Sequence, residues 1–184
     1  IKQNNKLSET AFVLLNIAKT YVRLKSYVEA EKFFQKSIVS SNKEYVENYF
    51  RLAEVYFGYG QFLQLVGRNT ESLVALNKAL SICLKNYGEK HTFISLSYKL
   101  IGDHYKNLSD YSTSLMYYQK SLIAVVKDFN DPDIFTNPGI DSSLLDIRLL
   151  DNLKSKSQAL ELLSLQQNDS VTKIRTMNKS LETI

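Results

Sequence analysis

Apolar residues recur every three or four positions over most of the chain, the period of a helix with one buried face. Leu14, Ile17, Ala18, Tyr21 and Leu24 make one stripe, and Ala30, Phe33, Phe34, Ser37 and Ile38 make the next. The interval from Lys25 to Val28 is too short for anything but a tight reversal, so the two stripes predict an antiparallel helical hairpin. The pattern returns at an offset of 42 residues: NIAKTYVRLKSYVEAEKFFQKSI from Asn16, GYGQFLQLVGRNTESLVALNKAL from Gly58 and LIGDHYKNLSDYSTSLMYYQKSL from Leu100. Small residues coincide at Ala18, Gly60 and Gly102, at Ala30, Ser72 and Ser114, and at Ser37, Ala79 and Ser121. Large ones coincide at Tyr21, Leu63 and Tyr105, at Phe34, Leu76 and Tyr118, and at Ile38, Leu80 and Leu122. Antiparallel helices approach closely only where one offers almost no side chain and a large neighbour fills the groove, so these positions are structural.

The periodicity predicts helices at 8–24, 27–41, 44–66, 70–86, 92–108 and 111–128, forming three hairpins near 8–41, 44–86 and 92–128. Turns fall at Gly67 to Thr70 and Ser109 to Ser112, with Asn69 and Asp110 as turn or cap residues, and Gly88 with the GEKHT segment interrupts the chain before the third hairpin. Residues 129–140 hold both prolines, Pro132 and Pro138, in a loop that ends the regular stack. Helical periodicity resumes within 141–184 as a fourth hairpin or cap outside the 42-residue register, with a polar turn at Gln166 to Ser170. The expected fold is therefore all-α, of about four antiparallel hairpins.

Composition narrows the function more than the fold. With 44% hydrophobic and 23% charged residues the chain is globular, and a formal charge of +4 spread thinly over several helices lacks the dense Lys/Arg stripe that a phosphate backbone calls for. A single cysteine, Cys83, rules out an internal disulfide and a cysteine metal cage. No run approaches the roughly eighteen apolar residues of a membrane span. The polar KQNNK stretch after Ile1 reads as the interior of a longer protein, for which a cytoplasmic setting is the favoured expectation.

The small–aromatic–small pattern Ala18-x2-Tyr21 with Ala30-x3-Phe34, and Gly102-x2-Tyr105 with Ser114-x3-Tyr118, resembles the tetratricopeptide repeat. The 42-residue length and YGEKHTFISLSYKLIGDHY from Tyr87 resemble its kinesin-light-chain variant. Departures are Leu63 where an aromatic is usual, and Ser72 and Ser114 where alanine is usual. The resemblance implies a right-handed superhelix of hairpins. Residues 119–163 resemble the segment that follows such repeats in large bacterial proteins of the Bacteroidetes type, ahead of a CHAT domain with a caspase-like peptidase fold. That likeness implies that the chain is the recognition arm of such a parent.

No catalytic constellation is apparent. Cys83 lies in an apolar stripe, His91 at a helix start and His104 on a helix beside Asp103, and the histidine spacing is not that of a helical metal site, so neither metal nor cofactor is expected. Asp131, Asp133, Asp141 and Asp146 do not fit a calcium loop and are read as caps of the following helix. In the repeat family that the chain resembles, the first helix of each hairpin lines a peptide groove. Carried to this sequence, the positions are Lys19, Val22 and Arg23, then Gln61, Gln64 and Leu65, then Asp103, Lys106 and Asn107, with Leu15, Phe57 and Lys99 one turn earlier. Amides suit a peptide backbone, and Lys19, Arg23, Lys99 and Lys106 suit acidic side chains or a C-terminus. The pairs Leu15 with Lys19, Phe57 with Gln61, and Lys99 with Asp103 depart from the lysine–asparagine pair of chaperone-binding repeats. The expected function is a protein or peptide scaffold, whose partner could be another domain of the same parent. The alternatives are an architectural spacer and, more remotely, a nucleic-acid-binding helical repeat.

Overall fold

Among the described residues, three hairpin reversals are built the same way, one every 42 residues. In the computed structural model, which describes residues 2–44, 49–139, 147–167 and 170–182, Lys25, Gly67 and Ser109 all adopt the left-handed conformation, with φ of 58°, 80° and 61°. In each turn that residue's N–H returns to the carbonyl three residues back, Val22, Gln64 or Lys106, and the following N–H returns to Tyr21, Leu63 or Tyr105. This paired closure satisfies the last free carbonyls of a helix and reverses the chain in a few residues.

The helices so joined are α1 (Lys2–Arg23), α2 (Tyr27–Glu44), α3 (Tyr49–Leu65), α4 (Asn69–Tyr87), α5 (Thr92–Asn107), α6 (Tyr111–Val125), α7 (Ile147–Gln166) and α8 (Ser170–Glu182), with no strand among the described residues. The fold is all-α and made of antiparallel hairpins. Helix α1 begins six residues before the expected start at residue 8, and α6 stops three residues before the expected end at 128. Lys90 explains that stop: its ammonium lies 2.7, 3.1 and 2.6 Å from the carbonyls of Ile123, Val126 and Phe129, capping the helix end with a cation. Asp110 caps α6 by accepting the Thr113 N–H at 3.1 Å, and His91 caps α5 through Nδ1, which accepts the Phe93 N–H at 3.1 Å.

The chain divides into two units, Ile1–Asn86 and Tyr87–Ile184. In the first, α1 packs on α2 and both pack on α3. Its core centres on Phe34, 1% exposed, whose ring lies 5.1 Å from Phe62 and 5.7 Å from Tyr59. Tyr59 keeps its hydroxyl bonded at the edge of this core, donating to Glu31 at 2.9 Å, while Arg68 clamps Glu31 and Glu71 together. Burial, then the Glu31 bond, pushes the Tyr59 phenol up to about 12. Gly60 meets α4 closely: a Cβ there would stand 2.9 Å from Leu76, and the Ser72 hydroxyl donates to the Gly60 carbonyl at 2.8 Å.

In the second unit the same notch recurs 42 residues on. A Cβ on Gly102 would stand 2.8 Å from the Tyr118 ring and 3.3 Å from the Ser114 carbonyl. Helix α7 packs on α6 and α8 on α7. Leu149 and Leu153 meet Leu122 and Val126, while Ala159 and Leu160 meet Leu115 and Tyr118. A polar knot ties this interface to α5: Ser121 Oγ lies 2.7 Å from both the Ser95 carbonyl and Asn152 Oδ1, and Asn152 Nδ2 donates to Ser95 Oγ at 3.1 Å. In the proline segment, Asp131 accepts the Asp133 N–H and Asp133 accepts the Phe135 N–H, each at 2.9 Å. These two aspartates fold the loop on itself and do not cap α7, because a carboxylate two residues before a free N–H closes a local turn first. Asp141 and Asp146, residues 45–48 of the expected third helix and part of the Gln166 to Ser170 turn lie outside the described residues.

Two stability measurements check this construction. Left-handed backbone costs an L-residue about 1–2 kcal/mol, partly offset by the extra unfolded-state freedom of glycine, so Lys25→Gly and Ser109→Gly each stabilise by about 0.5–1 kcal/mol in urea unfolding. Gly67→Ala destabilises to a similar extent, although nothing lies within 4 Å of the added methyl. Gly102→Ala gains about 1 kcal/mol of helix propensity but must displace a fully buried ring, so it loses about 1–2 kcal/mol net, the reverse of an exposed helical Gly→Ala.

Candidate functional site

The groove residues anticipated from the repeat register fall in both units, and each unit treats its set differently. In the first, Lys19, Val22 and Arg23 of α1 and Gln61 of α3 line a cleft of about 400 Å³ together with Phe34, Gly58, Phe62 and Leu65. Gly58 keeps it open, since a Cβ there would stand 3.0 Å from the Leu15 side chain and 3.4 Å from the Phe34 ring. The floor is apolar, from Phe34, Phe62 and Val22, and the rim carries the charge. Lys19 Nζ lies 3.5 Å from Glu54. Arg23 is exposed and makes no ion pair among the described residues. Phe57 is buried in the core at 4% exposure and Gln64 is half-buried, and neither lines the cleft.

In the second unit the corresponding charges are consumed internally. Lys99 Nζ lies 3.0 Å from Asp103 and 3.2 Å from Asp151 of α7. Tyr118 donates its hydroxyl to Asp103 at 2.6 Å, and Lys106, 3.8 Å from the same oxygen, donates to Gln158 of α7 at 3.2 Å. Burial disfavours the Lys99 charge, but Asp103 and Asp151 more than compensate and raise its pKa; burial, reinforced by Asp103, pushes the Tyr118 phenol well above its usual range. Asn107 is exposed at the end of α5.

Lys156 was not among the anticipated residues. It sits fully buried on the stripe Leu149, Leu153, Lys156, Leu160, where period alone calls for an apolar side chain. Its ammonium donates to Gln119 Oε1 at 2.6 Å, to the Thr136 carbonyl at 2.6 Å and to Asn137 Oδ1 at 2.9 Å. Gln119, likewise on the apolar stripe of α6, donates to the Asp131 carbonyl at 2.7 Å. The pair straps the proline segment to the helices. A lysine and a glutamine at core-register positions were the available signal. Burial lowers the Lys156 pKa to about 8, with Asp133 and Asp131 opposing and Lys179 adding slightly.

No catalytic grouping forms among the described residues. Cys83 is fully buried, and His104 is 1% exposed with its pKa lowered by burial. His91 stacks on Tyr87 at 4.5 Å. Among the described residues no group of three or more His, Cys, Asp or Glu could hold a metal ion, and no helix is long and apolar enough to cross a membrane.

Residues 13–41 and 51–122 match family models of the tetratricopeptide repeat. None of the curated proteins compared with it matches the chain. Among solved structures, the crystal structure of BtubC (BKLC) from P. vanneervenii matches with a TM-score of 0.64 at 12% identity, over 95% of this chain. The match spans 60% of that chain, and it is a likeness of fold.

The lysine strap has a pH signature. Its pKa stands at about 8 in the folded chain against an ordinary value of 10.5, so between those values the unfolded chain binds the extra proton. Stability therefore rises with pH through that window, and the cost of burying the charge is present in full below it. Lys156→Met abolishes this rise in urea unfolding between pH 8 and 10.5. At pH 7 it is nonetheless less stable by about 1–3 kcal/mol, because three oxygens lose their donor.

Proposed function

Because this chain is built on tetratricopeptide repeats, we propose that it is a protein-interaction module whose first unit receives an extended peptide, from another protein or another domain of its parent, in the α1–α3 cleft. The observation that carries this reading is the exposed Arg23 guanidinium, without a carboxylate partner among the described residues, beside an apolar floor. An acidic side chain or a terminal carboxylate satisfies Arg23 and shares Lys19 with Glu54, a neighbouring apolar side chain covers Phe34 and Phe62, and Gln61 bonds the peptide backbone. In the second unit Lys99, Asp103 and Lys106 are already paired, which suits a supporting, architectural role there. The sequence likeness of residues 119–163 supports a further reading, that the parent carries a CHAT-type caspase-like domain, which the parent's full sequence checks directly.

Selection of random peptides on the purified chain is expected to enrich an aspartate or glutamate next to a bulky apolar residue. Arg23→Glu weakens the selected peptides at least tenfold, about 1.4 kcal/mol, whereas Lys106→Ala leaves them unchanged. Equal binding to the Arg23→Glu chain refutes the cleft assignment.

A further inference from the structure

Lys19 and Arg23 stand one helical turn apart on α1, about 6 Å along its axis. Alternate residues of an extended peptide are about 6.6 Å apart and point to the same side, so a strand laid along α1 brings residues i and i+2 to these two cations. The residue between them turns to the other wall, where α3 presents Phe62 and Leu65. The two cations are not equivalent. Lys19 Nζ lies 3.5 Å from Glu54, which sits on α3 one turn before Gly58. The Lys19 side chain is 41% exposed and that of Glu54 only 26%, so the carboxylate is the less screened of the pair. The Lys19 stem passes close to Gly58: Cε is 3.5 Å from where a Cβ on that residue would stand. No carboxylate among the described residues pairs with Arg23.

On the reading that this cleft receives an extended peptide, we infer that Glu54 sets its specificity. It restricts the ligand to one acidic side chain, seated at Arg23, with an uncharged hydrogen-bonding residue two positions away at the Lys19–Glu54 pair. Two cations and one carboxylate leave a single positive charge to neutralise, and the first ligand carboxylate does so at Arg23. A second acid, two residues on, reaches Lys19 only by approaching Glu54 as well. Repulsion from Glu54 then offsets the attraction to Lys19, and the desolvation of the added carboxylate goes uncompensated. A hydroxyl or amide meets no such opposition. It finds a donor in Lys19 and an acceptor in Glu54, and serine, threonine, asparagine and glutamine use both together. Glu54 therefore acts against polyacidic segments, which a chain of formal charge +4 otherwise attracts.

Selection from a random peptide library on the whole chain, native and Glu54→Gln, tests this, each selected sequence being scored for a second acid two positions from the first. On the native chain such acid–x–acid pairs fall below the frequency that single acids alone give, and uncharged hydrogen-bonding residues rise at that position. On Glu54→Gln, which frees Lys19, acid–x–acid pairs become the preferred class. In titrations, a second acid added to a selected peptide brings no gain on the native chain and tightens binding to Glu54→Gln by about two- to fivefold, the size of an exposed ion pair. Glu29→Gln removes the same charge from an exposed site on α2 and keeps the native preference. Peptides that depend on Arg23 yet carry acid–x–acid pairs as readily on the native chain as on Glu54→Gln overturn the role of Glu54 and leave the cleft reading standing. The same shift produced by Glu29→Gln also overturns it. Binding indifferent to Arg23→Glu, or no peptide selected at all, overturns both.

Discussion

The contact between a glycine and the large side chain sixteen residues later is the constraint from which most of this structure follows. At Gly60 with Leu76 and at Gly102 with Tyr118, the partner occupies the volume that any Cβ would need, and the carbonyl of the small residue four positions earlier, Ser72 or Ser114, lies 3.3 Å from the same point. Backbone therefore approaches backbone, and the hairpin closes with little freedom in its crossing. Dispersion is gained only at such separations, and a gap of half an ångström would forfeit a good part of it. The left-handed turns at Lys25, Gly67 and Ser109 are the covalent side of the same requirement, because a reversal of that length brings the small residue, Ala18, Gly60 or Gly102, opposite its filler.

Polar groups inside the second unit serve register. Ser95, Ser121 and Asn152 satisfy one another between α5, α6 and α7, so sliding α7 by one residue would leave several unpaired, each at a cost of about 1–3 kcal/mol. Lys156 acts in the same way on the proline segment. Three neutral oxygens match the three N–H bonds of an ammonium, which is why the position tolerates a group that burial disfavours. Lys90, with three carbonyls at the end of α6, is the exposed counterpart. Two lysines on helix-flanking or core positions thus hold the end of α6 and the proline segment that follows it.

The groove-register residues of the two units illustrate how corresponding helices yield different chemistry. Arg23 and Lys106 belong to equivalent first helices at neighbouring register positions, yet Lys106 reaches Gln158 and Asp103 while Arg23 stands beside an apolar floor with no carboxylate partner among the described residues. The difference arises from α7, whose Asp151 and Gln158 supply partners to α5. Gly58, which a Cβ would crowd against Leu15 and Phe34, keeps the first unit's cleft open.

From sequence alone the all-helical fold, the hairpins, their period and the notch residues were legible, because each depends on side-chain size and spacing within a few turns of chain: Ala18, Gly60 and Gly102 announce close packing wherever they occur at that offset. The overlap of Lys19, Val22, Arg23 and Gln61 with a cleft followed from the same register, carried through a family resemblance. Register could not show that Phe57 turns into the core or that Lys99, Asp103 and Lys106 are neutralised, since those outcomes depend on which helix arrives from far along the chain and what it presents. Nor could it assign Lys156 its role, because a lysine in an apolar stripe is a conflict locally and is resolved only by Gln119, Thr136 and Asn137, brought to it by tertiary packing.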